Sequence, residues 1–71
     1  MTAEEYRERR DALEGWPVTI VSYRLGQRYV CAVHNADPGA RIAVADAATR
    51  EEAEARALED ARRRLARTRR R

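Results

Sequence analysis

The stretch from Ala48 to Arg71 constrains the fold most, because it combines a helix start signal, an apolar stripe and an arginine-rich end. Thr49 is the expected N-cap, and Glu52 completes a T-x-x-E capping box with it. At about 100° per residue the apolar side chains share one arc; they are Ala53, Ala57, Leu58, Ala61 and Leu65. The pattern predicts an amphipathic helix over 49–68 that lies on a small sheet, since an alanine stripe allows close approach to a flat surface.

The other positions of this helix are charged. Glu54 falls inside the apolar arc as a polar exception. On the opposite face, charges of alternating sign recur every four residues, and each such pair stabilises a helix by about 0.2–0.5 kcal/mol. The ladder consists of Glu52, Arg56, Asp60 and Arg64.

The middle of the chain has the composition of β-strands. Residues 18–25 and 28–35 are rich in β-branched and aromatic side chains, and Gly26-Gln27 separates them. A two-residue link with glycine first favours a type II′ hairpin. Asp37-Pro38-Gly39 then predicts a turn, and residues 41–46 a third strand, so that the sheet occupies 18–46.

One face of this sheet is expected to be core. In the hairpin register Tyr23 lies opposite Val30 and Val21 opposite Ala32. Because side chains alternate along a strand, Tyr29, Cys31 and Val33 then lie on the other face. The predicted core consists of Ile20, Tyr29, Cys31, Val33, Ile42, Ala57, Ala61 and Leu65.

The N-terminal residues resemble the start of a second helix. Thr2-Ala3-Glu4-Glu5 is a capping box, Gly15 stands where a left-handed C-terminal residue is expected, and Pro17 prevents continuation. A short helix is therefore predicted over 2–15. The expected fold is a single α+β domain over 1–71 with the order α-β-β-β-α: a three-stranded antiparallel sheet, a long C-terminal helix on one face, and a basic tail over 69–71.

The side chains favour a non-catalytic protein. The chain has one Cys and one His, and Cys31 and His34, three apart on a strand, point to opposite faces. Zinc needs three or four ligands, and Ser22 has no base within pairing distance. We expect no enzyme activity, no metal and no cofactor.

The composition also predicts the compartment. No apolar run reaches the roughly 18 residues of a membrane span, the N-terminus is too charged for a secretory signal, and a lone cysteine fits a reducing environment. We expect a protein of the bacterial cytoplasm with no membrane contact.

From Val18 to Leu65 the chain resembles the HicB-type antitoxin domain, a small β-β-β-α fold. The similar parts are the hairpin at Gly26, the Asp37-Pro38-Gly39 turn and the helix opening Thr49-Arg50-Glu51-Glu52-Ala53. That family binds a small RNA-cleaving toxin and often dimerises, so the resemblance implies a protein-binding module. The predicted element order is also similar to that of double-stranded-RNA-binding domains, although three acidic residues stand where that family has phosphate-binding lysines.

Two functions follow. The first is a small interaction module that binds a partner protein or itself through the second sheet face, where Val21, Tyr23 and Val30 form an apolar patch. The alternative is weak, sequence-independent nucleic-acid binding, because residues 1–61 hold 8 arginines against 12 acids, a charge of −4, while residues 62–71 carry +7. The arginines of that end are Arg62, Arg63, Arg64, Arg67, Arg69, Arg70 and Arg71.

Overall fold

The computed structural model describes residues 4–36 and 40–69, without the side chains of 68 and 69. Within them the chain forms one four-stranded antiparallel sheet, in the order β1-β2-β3-β4, and a helix on one of its faces. The elements are β1 (Glu4–Leu13), β2 (Trp16–Leu25), β3 (Arg28–Asn35), β4 (Arg41–Ala47) and α1 (Arg50–Arg69). The α+β class and the C-terminal helix are confirmed. The three-stranded sheet and the N-terminal helix are wrong.

The N-terminal segment is an edge strand instead of the predicted helix over 2–15. A helix there would have had only four scattered apolar residues, too few for a stripe that could bury it. As a strand the segment pairs its backbone with β2, from Arg7 opposite Ser22 to Leu13 opposite Trp16. Long-range pairing therefore overrides the local helix signals of a charged sequence. The capping box at residues 2–5 lies partly outside the described residues.

A two-residue turn joins β1 to β2. Glu14 (φ 51°) and Gly15 (φ 80°) both adopt positive φ, as a type I′ turn requires, and this turn matches the twist of the flanking strands. Gly15 has the left-handed conformation that its position suggested, but it closes a hairpin and does not end a helix.

The hairpin of β2 and β3 is confirmed in its register. Tyr23 pairs with Val30, Val21 with Ala32, and Leu25 with Arg28. Of the two turn residues, Gly26 alone adopts positive φ, at 66°, in agreement with a type II′ turn.

The predicted core face of this hairpin is also confirmed. Ile20, Cys31 and Val33 are buried, together with Val18 and Ser22. Tyr29 is half-buried and packs against the core. α1 covers this face of the sheet. Because side chains alternate along a strand, the remaining side chains lie on the other face, which no described element covers.

α1 lies mainly over β3 and β4. Its buried residues are the predicted stripe, Ala53, Ala57, Ala61 and Leu65, with Leu58 partly buried. Thr49 is confirmed as the N-cap, because its Oγ1 accepts a hydrogen bond from the Glu52 amide at 3.2 Å. The Glu52 carboxylate accepts from Arg56 at 2.8 Å, and Arg64 pairs with Asp60 at 3.3 Å, as the charge ladder predicts.

The buried side of β4 differs from the prediction. Ala43 and Ala47 are buried, whereas Ile42 is only partly buried against the core. The pairing of β3 with β4 shifts between Val33 and His34, which leaves Ile42 next to an irregularity. The alanines of β4 face the alanine stripe of α1, and small side chains on both surfaces let helix and strand approach closely. The Asp37-Pro38-Gly39 turn lies outside the described residues.

Candidate interaction surfaces

The sheet face opposite α1 is covered by no described element, and we call it the open face. Val21, Tyr23 and Val30, the predicted binding residues, are all half-buried on it. The register adds Val44, which lies opposite Ala32 and is 48% exposed. Apolar side chains from three adjacent strands therefore form a continuous patch.

The edge strand extends this patch. Tyr6 of β1, 58% exposed, stacks on Tyr23 with ring centroids 6.5 Å apart and planes inclined by 14°. Offset aromatic pairs at such distances are favourable. Tyr6 shields part of Tyr23 and remains itself accessible. No local pattern indicates this contact, because the predicted N-terminal helix over 2–15 includes Tyr6.

A shallow depression of about 360 Å³ lies at the opposite side of the open face, next to the β2–β3 turn. Leu25, Val30 and Val44 form its apolar lining, and Arg28 and Asp46 lie at its rim, where they make an ion pair of 2.7 Å. An apolar centre with a charged rim is the usual anatomy of a protein–protein contact.

The arginine end lies on the last turns of α1. Arg62, Arg63, Arg64 and Arg67 are exposed. Arg63 approaches Glu59 (3.7 Å) and Asp60 (4.0 Å), and Arg64 donates to the Ile42 carbonyl at 2.9 Å. Acidic neighbours thus offset part of the positive charge. Only the backbone of Arg69 is described, and Arg70 and Arg71 lie outside the described residues.

A charged junction at the start of α1 is the feature that sequence reasoning missed. The Arg50 side chain is only 11% exposed and lies over the Tyr29 ring, 5.2 Å from its centroid. It donates to Ser22 Oγ at 2.5 Å and to the Glu5 carbonyl at 2.7 Å. Because these partners belong to three different strands, no local pattern could have indicated this arrangement.

Glu5 is the counterpart of Arg50 in this junction. It adopts φ 55° where the pairing of β1 with β2 is irregular, between Glu4 and Arg7. Its carboxylate accepts from the Tyr29 hydroxyl at 3.2 Å and lies 3.3 Å from Arg24, which also pairs with Glu4. These contacts offset the strain of a left-handed residue other than glycine.

A cavity of about 440 Å³ lies between β1 and α1, because the helix packs mainly over β3 and β4. Ile20 and Ser22 form its floor, and three arginines and three glutamates line it. Glu54, the polar exception in the helix stripe, lies 3.7 Å from Arg9 of β1 here. The balanced charge does not favour a phosphate or another simple anion.

Cys31 is a core residue, as predicted, with no exposed surface. Burial, aided by the nearby Glu54 carboxylate, raises the pKa of its thiol to about 11, against the opposing influence of Arg9 and Arg50. His34 is half-buried on the open face, two residues from Ala32 and therefore on the side opposite Cys31.

Among residues 4–36 and 40–69, no group of three or more His, Cys, Asp or Glu side chains is placed to hold a metal ion. In the same residues, no helix has the length and apolar character needed to cross a membrane.

Comparison of the chain with models of protein families, with curated proteins and with solved structures finds no match. The resemblance to HicB-type domains therefore stays a prediction based on turn and capping motifs. The similarity to double-stranded-RNA-binding domains relied on an N-terminal helix, and a strand occupies that position.

Proposed function

We propose that the protein is a non-catalytic interaction module that binds a partner protein through the open face. The observation that supports this is the apolar patch across four adjacent strands, made of Tyr6, Val21, Tyr23, Val30 and Val44. Exposed apolar side chains that adjoin one another over several strands are typical of contact surfaces, whereas isolated ones are ordinary.

The shape and chemistry of the patch indicate the kind of partner. Its centre holds two tyrosines and three valines, and aromatic anchors dominate the binding energy of many interfaces. The described charges at its rim, such as Arg28 and Asp46, are of both signs. A partner with an apolar contact surface and a polar margin fits it, and the HicB-type resemblance suggests a small RNA-cleaving toxin as the first class to test.

The proposal is tested with Tyr23→Glu, which places a charge at the centre of the patch, and with Glu59→Gln on the exposed side of α1 as a matched control. Both variants should keep the circular dichroism spectrum and the denaturation midpoint close to those of the wild type. A partner captured by the tagged wild-type chain is purified, and its affinity is measured by calorimetry. We expect Tyr23→Glu to weaken binding at least tenfold, about 1.4 kcal/mol, and Glu59→Gln to leave it unchanged.

Equal affinity of the wild type and Tyr23→Glu for every purified partner would contradict the proposed surface. A second readout does not need a partner: binding of an environment-sensitive apolar dye to the folded protein should decrease in Tyr23→Glu. Unchanged dye fluorescence would show that the patch is not an accessible apolar surface.

A further inference from the structure

β1 is an edge strand with an unoccupied side. The sheet order places β2 on one side of it and no described strand on the other. Nine of its ten residues are exposed, and α1 lies over β3 and β4, away from this edge. The free backbone groups of such an edge are a template for pairing with another chain.

Each face of β1 carries charges of both signs along the regularly paired segment. The register with β2 places Arg7, Arg9 and Asp11 on the helix side, opposite Ser22, Ile20 and Val18. Glu8 lies opposite Val21 and Arg10 opposite Thr19, on the open face. The pairing is regular from Arg7 to Leu13, so a straight segment of edge is available beyond the irregularity near Glu5.

We propose that two copies of this chain associate by antiparallel pairing of β1 with β1, with Arg9 on the two-fold axis. A two-fold axis perpendicular to the sheet places the helix side of one copy next to the helix side of the other. Each residue of β1 therefore lies opposite a residue of the same face in the second copy. In this register Glu8 lies opposite Arg10 of the second copy, and Arg7 lies opposite Asp11 of the second copy. Each contact occurs twice, which gives four pairs of opposite charge.

The alternatives are less favourable. A shift that puts Glu8 on the axis places Glu8 opposite itself and Arg7 opposite Arg9 twice, so that three pairs are of like charge. Like charges directly opposite each other destabilise a sheet. A shift that puts Arg10 on the axis keeps only two favourable pairs, between Arg9 and Asp11. Charge complementarity thus selects one register and disfavours the pairing of this edge with unrelated strands.

The single like-charge pair of the proposed register has a local counter-charge. Arg9 approaches its copy on the helix side, where Glu54 of its own chain lies 3.7 Å from the guanidinium. The side chain that interrupts the apolar stripe of α1 therefore acquires a role in the assembly. The resulting dimer has a continuous sheet of eight described strands, with both helices on one side and the two open faces joined on the other. The contact is made by the edge of β1, so this proposal does not depend on a partner protein.

Charge exchange tests the register. Glu8→Arg and Arg10→Glu each convert two attractive pairs into repulsive ones, so each variant alone should weaken dimerisation about tenfold or more in sedimentation equilibrium. The double variant restores opposite charges and should dimerise like the wild type. An equimolar mixture of the two single variants should form a heterodimer, because every charged pair across the edge except Arg9 with Arg9 is then attractive. Both positions are exposed, and circular dichroism checks that the fold is kept.

A cross-link tests the axis. Arg9→Cys, in a Cys31→Ala background, should oxidise to a disulfide-linked dimer, because opposing residues at a two-fold axis lie within the Cα separation that a disulfide spans. Ala12→Cys in the same background should cross-link much more slowly. A wild-type chain that stays monomeric at millimolar concentration would overturn the proposal, as would dimerisation that neither single charge variant weakens. Tyr23→Glu, which disrupts the open face, should leave this dimer intact, so the two proposals fail independently.

Discussion

Cys31 shows how burial governs the chemistry of one residue. Its thiol pKa is raised from the ordinary value of 9.0 to about 11, first by burial and then by Glu54. The fold therefore favours the protonated thiol. The stability that this contributes is complete below about pH 9 and is lost as the pH rises toward 11, because the unfolded chain ionises first.

We expect the free energy of unfolding of the wild type to fall between pH 9 and pH 11 more steeply than that of Cys31→Ala. Urea denaturation at a series of pH values measures both slopes, and the Cys31→Ala slope accounts for every other group of the chain. Under native solvent conditions the buried thiol should react with a disulfide reagent only in molecules that have unfolded. Equal slopes and rapid native reactivity would show that the thiol is accessible.

Arg50 is a second single residue with a large expected effect, because its side chain connects α1 to three strands. One guanidinium bonds Ser22 and the Glu5 carbonyl and lies over Tyr29, a planar geometry that an ammonium group cannot reproduce. We expect Arg50→Lys to lower the free energy of unfolding by about 1–3 kcal/mol, the cost of buried groups left without their hydrogen bonds. Arg56→Lys, at an exposed i,i+4 pair, is the control and should change it by less than about 0.5 kcal/mol. Equal effects of both variants in urea denaturation would contradict a special role of Arg50.

At the scale of elements, the two hairpins differ in how well their turn residues suit the turns. Glu14 adopts a positive φ that only Gly, Asn and Asp adopt readily. We expect Glu14→Asn to stabilise the protein by about 0.5–1 kcal/mol, since Asn-Gly is the preferred type I′ pair. Gly26→Ala should destabilise it by about 1 kcal/mol, purely through φ 66°, because no atom lies within 4 Å of the added Cβ. Thermal unfolding of both variants measures these shifts, and a change of the opposite sign in either would refute the assigned turn.

The whole molecule divides its charge between an acidic body and a basic end, −4 over residues 1–61 and +7 over 62–71. In the described part of that end, Arg63 and Arg64 already have acidic neighbours. We expect only weak binding of duplex DNA or RNA at low salt, lost at moderate salt because it depends on counterion release. A chain that ends at Leu65 should bind less still. Binding that persists at moderate salt, or that the truncation leaves unchanged, would contradict this expectation.

The sequence by itself determined the features that depend on local periodicity. Thr49 capping, the alanine stripe of α1, the register around Gly26-Gln27 and the burial of Cys31 all follow from patterns within about twenty residues. Each such pattern has one favourable solution, because a helix must bury its apolar arc and a two-residue link defines which residues pair. The same patterns predicted that Val21, Tyr23 and Val30 lie together on the open face.

Only the tertiary structure decided the remaining features, because their energy comes from contacts between distant segments. The charged segment from Glu4 to Leu13 becomes a strand because β2 offers it a free edge, although its own residues suggested a helix. Ala43 and Ala47, rather than Ile42, face α1, because the helix approaches closest where both surfaces are small. Arg50 meets Glu5 and Ser22, and Arg9 meets Glu54, across sequence separations that no periodicity spans.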